Sequence, residues 1–241
     1  MSRGETASVP NGQLRIVDDV PAAFADLVAL EARHARAAAP GDDPFRLVLS
    51  GGTTARLCYE QLAARHGLDW GRVECLVGDE RCVPADDPDA NQRMIRETLV
   101  EKADPRPRFL PMDCEAGPAA YEEVIASRPL LDLVHLGLGP DGHTASLFPG
   151  SAALDAPPGR LVERNVDLSG HNPHARLTLT FAGIARGRLV VFTVAGADKA
   201  EAFRRIISGE DLPAARVRAD RVVWLCDPAA AGHRAVARVS R

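Results

Sequence analysis

Asp141 and His143 stand two residues apart in the stretch Leu136–Gly150, which reads LGLGPDGHTASLFPG. An imidazole titrates near neutrality and can take and return a proton, so a histidine beside a carboxylate suits acid/base work. Gly137, Gly139, Pro140 and Gly142 surround the pair. A turn of that composition lets the backbone adopt positive φ and lie close to a ligand. Asp141 is placed either to orient His143 or to cap the short helix predicted over Thr144–Phe148, which Pro149-Gly150 closes. His135 lies within an apolar run and reads as a core residue, while His171 and His174 are weaker site candidates.

A second set of residues suits an anion. The segment Leu47–Leu57, LVLSGGTTARL, reads as strand, Gly-Gly turn and helix. Unpaired N–H groups and the helix dipole favour negative charge at such a helix start. Ser50, Gly51, Gly52 and Thr53 form this turn, and Thr53 or Thr54 is expected to cap the helix. The pattern is neither a GxGxxG fingerprint nor a Walker P-loop, which points to a small phosphate rather than a nucleotide. Gly78–Arg81, GDER, leaves the end of another predicted strand with Asp79 and Arg81. A guanidinium there can grip a phosphate with two parallel hydrogen bonds. Lys199 lies in a further strand-to-helix turn and Arg176 opens a strand; both suit an anion, although taken singly an ordinary solvated charge is the favoured reading of each. Only Lys102 and Lys199 among the 29 basic residues are lysine, so a lysine in a ligand-like turn carries information. Asp-x-His without a clear third and fourth ligand, HExxH or Cys/His cluster gives no expectation of a metal or other cofactor. Nor is there a GxSxG elbow for serine catalysis.

These residues need strand ends to hold them. Apolar runs predict strands at Leu14–Val17, Phe45–Leu49, Val73–Val77, Leu130–Leu138, Leu161–Arg164, Arg176–Thr180, Leu189–Val194 and Val222–Leu225, with an extended piece at Phe109–Pro111. Helices are predicted over Pro21–Ala39, from Thr53 to about Arg65 with Leu57, Tyr59 and Leu62 inward, and over Asn91–Val100 and Gly117–Ser127. Two more run from Gly196 to about Ser208 and onward from Asp227-Pro228. Alternating strands and helices indicate an α/β fold, a mostly parallel sheet with helices on both faces. Ligands in such sheets bind beyond the carboxyl ends of the strands.

The 241 residues are 46% hydrophobic and carry a formal net charge of -4, which supports a packed core and excludes a general nucleic-acid binder. No run reaches the ~20 apolar residues of a membrane span, and the first ten residues lack a signal-peptide core. A single domain over residues 1–241 is expected, with residues 1–12 as a flexible tail. The five cysteines are scattered without a CxxC pair, so reduced thiols and a cytoplasmic location are expected.

LSGGTT, GDERCVP, LGLGPDGHTASLFPG, RLTLT and VAGADKAEAF, in that order and spacing, resemble the 6-phosphogluconolactonase family over nearly the whole chain. The resemblance implies the Rossmann-like fold shared with glucosamine-6-phosphate deaminases and ribose-5-phosphate isomerases, with a small added subdomain. It implies metal-free hydrolysis of 6-phosphoglucono-δ-lactone to 6-phosphogluconate, by a monomer or homodimer acting on a small phosphosugar. It places the phosphate cradle on Ser50, Gly51, Gly52 and Thr53 with Arg81 and Lys199, Arg176 near the sugar, and the general base on His143 with Asp141 beside it. Thr53 and Ala55 depart from the family's usual Gly-Gly-Ser-Thr-Pro loop, and Cys82 sits where an aromatic is common. Related deaminases share the Asp-Gly-His turn and the position of Asp79, but carry a Glu shortly after the turn. Here Ser146-Leu147-Phe148-Pro149 offers no carboxylate, which favours the lactonase over a deaminase, and a sugar-phosphate-sensing module stands as the non-catalytic alternative.

Overall fold

The computed structural model describes residues 5–38 and 41–232. In chain order the strands are β1 (Glu5–Val9), β2 (Gly12–Ile16), β3 (Phe45–Leu49), β4 (Val73–Val77), β5 (Asp79–Arg81), β6 (Arg108–Leu110), β7 (Leu131–Leu136), β8 (Val162–Asn165), β9 (Arg176–Leu179), β10 (Gly187–Val194) and β11 (Arg221–Cys226). The helices are α1 (Val20–Ala38), α2 (Thr53–Ala63), α3 (Asn91–Ile95), α4 (Gly117–Ala126), α5 (Phe181–Ile184), α6 (Ala200–Ile207) and α7 (Pro213–Arg216). The helix begun by α3 continues over Arg96–Val100 in wider turns, with the Glu101 N–H on the Arg96 carbonyl.

Eight strands form one sheet in the order β1-β2-β11-β10-β7-β3-β4-β6, parallel except where β1 pairs antiparallel with β2. Every residue of β3 and β4 is buried, so both faces of the sheet are covered there. α1 packs on β3, β7, β10 and β11 and against α2. The core is one contiguous cluster, including the stacked rings of Phe192 and Trp224, whose centroids are 3.8 Å apart. Beneath the first anion turn, Tyr59 accepts from the Ser50 N–H and meets His135 Nδ1 at 2.8 Å, while His135 Nε2 reaches Thr193. Burial pushes the His135 imidazole down to about 3, as a neutral core residue requires.

Strand order explains where a ligand fits. From β3 the chain winds outward through β4 to β6, then returns to β7 on the other side of β3 and winds on to β10 and β11. The connections after β3 and β7 therefore diverge, and a crevice opens between them at the carboxyl ends of both strands.

β5, β9 and β8 form a separate antiparallel sheet, in which Arg81 pairs with Arg176 and Asp79 with Thr178. The Gly78 carbonyl accepts from the Leu179 N–H, which joins this sheet directly to the end of β4. It is the small addition to the main fold.

Several expectations are corrected. Residues 5–12 are not a tail: β1 and β2 form a hairpin across Pro10-Asn11, and Asn11 Nδ2 donates to the carbonyls of Ala214 and Val217. The loop is the two residues Pro10-Asn11, turn-forming types that join Val9 to its partner Gly12. Residues 1–4 lie outside the described residues, as does the closing helix beyond residue 232. Leu57 is 47% exposed, while Tyr59 and Leu62 are buried. Gly52, at φ 101°, holds the cap position of α2, with no side-chain cap from Thr53 or Thr54. Thr144–Phe148 is not a helical turn but a tight turn in which the Leu147 N–H bonds to the Thr144 carbonyl. Cys82 and Cys114 form a disulfide, while Cys58, Cys75 and Cys226 are free and buried. A sequence separation of 32 carries no pairing signal. The two cysteines meet because β4 runs on into β5 and pairs with β6, which precedes Cys114.

Candidate active site

The crevice is a cleft of about 200 Å³, below the roughly 300–1,000 Å³ of drug-sized pockets and suited to a small ligand. Its floor comes from the turns after β3 and β7, its walls from β5 and β9, and Lys199 closes one side from the turn after β10.

His143 Nδ1 lies 2.5 Å from Asp141 Oδ1, and the same oxygen accepts from the His143 N–H at 3.1 Å. A carboxylate on Nδ1 holds the proton there, which leaves Nε2 as the basic nitrogen. Nε2 has no partner among the described residues, and His143 lines the cleft. Burial raises the Asp141 carboxyl, but the hydrogen bond and charge of His143 outweigh it and hold Asp141 below its ordinary range. The Phe148 ring meets the imidazole edge-on at 5.0 Å. Asp141 itself does not line the cleft; it stands behind the ring.

The glycines of this turn have steric reasons. A Cβ on Gly139 would sit 2.1 Å from His143 Nδ1, and one on Gly142, at φ 91°, would sit 2.7 Å from Leu212 Cδ1. The Gly139 N–H bonds to the His143 carbonyl, Thr144 Oγ1 to the Gly137 carbonyl, and the Ala214 N–H of α7 to the Gly142 carbonyl. The turn that carries His143 is thus tied at both ends.

Ser50, Gly51 and Gly52 line the opposite lip, and Thr53 does not reach it. A Cβ on Gly51 would fall 1.9 Å from Asn91 Oδ1, so the turn lies directly against Asn91. Asn91 Nδ2 donates to the Asp79 carbonyl. The buried Glu80 carboxylate accepts from the N–H groups of Arg81, Asn91 and Gln92, tying β5 to the start of α3. Burial raises Glu80 to about 7 in spite of those three donors.

Arg81 and Arg176 stand opposite one another across β5 and β9, and both line the cleft. Arg81 Nη1 donates to the Asp89 carbonyl at 2.6 Å, while its Nε is buried without a partner. Arg176 is only 4% exposed, and its Nε reaches the His174 carbonyl at 3.2 Å. Burial lowers the Arg176 pKa, Asp79 offsets part of this, and Arg81 adds to it. Two neighbouring guanidiniums with so few partners form a site that an anion would complete. Lys199 Nζ pairs with Asp198 at 3.0 Å. Asp79 is buried and accepts from Ser146 Oγ at 2.6 Å.

The cleft therefore brings together Ser50, Gly51, Gly52, Asp79, Arg81, His143, Arg176 and Lys199 of the sequence-derived set, with Asp141 behind them and Thr53 outside. Sequence reasoning missed Asn91, Ser146 and Asn172. Asn91 and Asn172 carry no spacing signal, whereas Ser146 lies inside the histidine motif. His171 bonds to Ser169, and His174 pairs with Asp89 at 2.9 Å; neither lines the cleft.

The family model described as glucosamine-6-phosphate isomerases/6-phosphogluconolactonase matches residues 18–224. The chain belongs to this family. A 6-phosphogluconolactonase of Synechocystis is 38% identical over 200 residues, covering 75% of this chain and 81% of its own. The crystal structure of a 6-phosphogluconolactonase from Thermotoga maritima superposes with a TM-score of 0.74 at 30% identity, over 89% of this chain and 99% of that one. One from Shewanella baltica gives 0.78 at 26% identity, over 93% and 100%. The family's α/β architecture and the parallel sheet described above agree. Among the described residues no helix is long and apolar enough to cross a membrane.

Proposed function

We propose that this protein hydrolyses 6-phosphoglucono-δ-lactone to 6-phosphogluconate in the oxidative pentose phosphate pathway, with His143 as general base. One observation carries the reading: His143 has Nδ1 on a carboxylate and Nε2 open to a cleft that also holds Arg81, Arg176 and Lys199. The names of the relatives support the same substrate.

The phosphate docks on the Gly51-Gly52 turn, Arg81 and Lys199, which sets the lactone carbonyl over His143. Neutral His143 takes a proton from water on Nε2 as the water oxygen attacks C1. The tetrahedral oxyanion collapses, the bond from C1 to the ring oxygen breaks, and the imidazolium returns its proton to that oxygen. Asp141 holds the ring and its tautomer and stabilises the imidazolium. Asp79, with Arg176, faces the sugar hydroxyls. The location is cytoplasmic, where a partly exposed disulfide such as Cys82–Cys114 is redox-responsive rather than permanent.

The test is hydrolysis of freshly generated lactone in the presence of EDTA, coupled to 6-phosphogluconate dehydrogenase and compared with spontaneous opening. A rate well above background that EDTA leaves unchanged is expected. Ammonia release from glucosamine 6-phosphate without lactone turnover would move the protein to the deaminase branch of its family.

A further inference from the structure

Ala145 is the only non-glycine residue with positive φ among the described residues, at φ 48°. It occupies the first central position of the turn Thr144–Leu147, closed by the Leu147 N–H on the Thr144 carbonyl at 3.0 Å. A left-handed residue in that position is ordinarily glycine. An L-residue persists there only where its surroundings over-determine it, and such residues cluster at functional sites.

The surroundings here are three hydrogen bonds on the next residue, which is buried. Ser146 Oγ donates to Asp79 Oδ2 at 2.6 Å, the Ser146 N–H donates to Thr178 Oγ1 at 3.1 Å, and its carbonyl accepts from Asn165 Nδ2 at 2.7 Å. These groups come from β5, β9 and β8, so the whole small sheet holds the turn in place. Thr144 is bridged to Leu147, and Ser146 has spent its N–H on Thr178. The N–H of Ala145 is left without an acceptor among the described residues, on a residue that lines the same cleft as His143.

We propose that the Ala145 main-chain N–H is the oxyanion donor of the reaction. Resting on the lactonase reading above, the assignment goes beyond it by naming the group that bonds the former carbonyl oxygen in the tetrahedral intermediate. No proton moves in this contact. The N–H holds the oxyanion while water adds to C1, and releases it as the C–O double bond re-forms and the ring oxygen leaves with the proton from His143. A donor fixed in advance and aimed at developing charge is the arrangement that lowers such a barrier. Asp79, acting through Ser146, is then a positioning residue for the turn as well as a neighbour of the sugar.

The test changes that one atom. Incorporating lactic acid at position 145 of the full chain by nonsense suppression turns the Thr144–Ala145 amide into an ester. This removes the N–H and also weakens the Thr144 carbonyl as acceptor for the Leu147 N–H. Leucic acid at position 147, which breaks that same turn bond and leaves the Ala145 N–H in place, is the control and should lower kcat far less. The ester should lower kcat by roughly 10²-fold, the order found when one oxyanion donor is removed, with the lactone KM within about twofold. Ala145→Gly keeps the N–H, so its kcat should fall far less than that of the ester. An ester protein with unchanged kcat overturns the proposal, and so does one whose KM rises at constant kcat, because the N–H would then bind the ground state. A wild type without lactone turnover fails the lactonase reading itself and this inference with it. A second measurement needs no variant: in wild-type protein labelled with ¹⁵N-alanine, a 6-phosphosugar analogue with a cyclic phosphonate at C1 should move the Ala145 amide proton downfield, as a new charge-assisted hydrogen bond does. An Ala145 signal that ignores the analogue, or that inorganic phosphate alone moves equally, overturns it.

Discussion

One oxygen of Asp141 bonds both the imidazole Nδ1 of His143, at 2.5 Å, and the backbone N–H of the same residue, at 3.1 Å. A single carboxylate therefore sets the tautomer of the ring and the shape of the turn that carries it. His143→Ala should lower kcat by about 10²–10⁴-fold, the usual contribution of a positioned base, with little change in KM. Asp141→Asn should lower kcat less, by roughly 10-fold or more, because the base remains but its tautomer and imidazolium lose their partner. Steady-state kinetics on fresh lactone decides both, and wild-type kcat in either variant would remove the pair from catalysis.

Arg81 carries a buried Nε without a partner and faces Arg176 across the small sheet. The guanidinium lines the cleft, where a phosphate can accept from it. Arg81→Ala should raise the lactone KM by about 10–100-fold, as loss of charge-assisted hydrogen bonds implies, while kcat falls much less. Inorganic phosphate should inhibit the wild type competitively and the variant far more weakly. An unchanged KM would take the phosphate away from Arg81.

Two glycines are required by contact distance rather than by conformation. In Gly139→Ala the new Cβ would lie 2.1 Å from His143 Nδ1, so the ring must move off Asp141. In Gly51→Ala it would lie 1.9 Å from Asn91 Oδ1, so the phosphate lip must lift. The first change should appear mainly in kcat and the second mainly in KM. Equal effects of both substitutions on both constants would show that the two turns do not act separately.

Glu80 gives a pH dependence of stability. Burial raises its folded-state pKa to about 7, above the ordinary ~4.3 of a glutamate in an unfolded chain. Between those values the folded protein binds the extra proton, so stability falls as pH rises from about 4.5 and the loss is complete above about 7. The effect is on the order of 3–4 kcal/mol. Urea unfolding of wild type and Glu80→Gln at pH 5 and pH 8 should show the wild type losing ground to the variant at the higher pH. A difference between the two proteins that is independent of pH would contradict the assignment.

The Cys82–Cys114 disulfide predicts the thiol count. Denatured without reductant, the chain should expose three titratable thiols, those of Cys58, Cys75 and Cys226, and all five after reduction. Reduction should also lower the unfolding midpoint, since a link of this loop length contributes about 2–4 kcal/mol. Five reactive thiols in the unreduced chain would refute the bond.

Local signals determined much of this protein. Apolar runs interrupted only by Arg46 and Glu74 place β3 and β4 residue for residue, because a strand buried on both faces is apolar at nearly every position. Gly-rich turns after such strands mark the ends where ligands bind, so Asp141, His143, Gly51, Gly52 and Arg81 are visible without a structure. The tertiary structure decided what depends on distant segments meeting. The order of β3 and β7 opens the cleft between two turns separated by some ninety residues, and no local pattern encodes that adjacency. The pairing of β5 with β9 sets Arg81 opposite Arg176, and the run from β4 into β5 brings Cys82 to Cys114. Thr144–Phe148 has the composition of a helix start, yet the buried bonds of Ser146 to Asp79, Thr178 and Asn165 outweigh that local preference and hold Ala145 at φ 48°. Chemistry-bearing residue types are written locally, while their mutual distances follow from strand order and from hydrogen bonds between segments far apart in the chain.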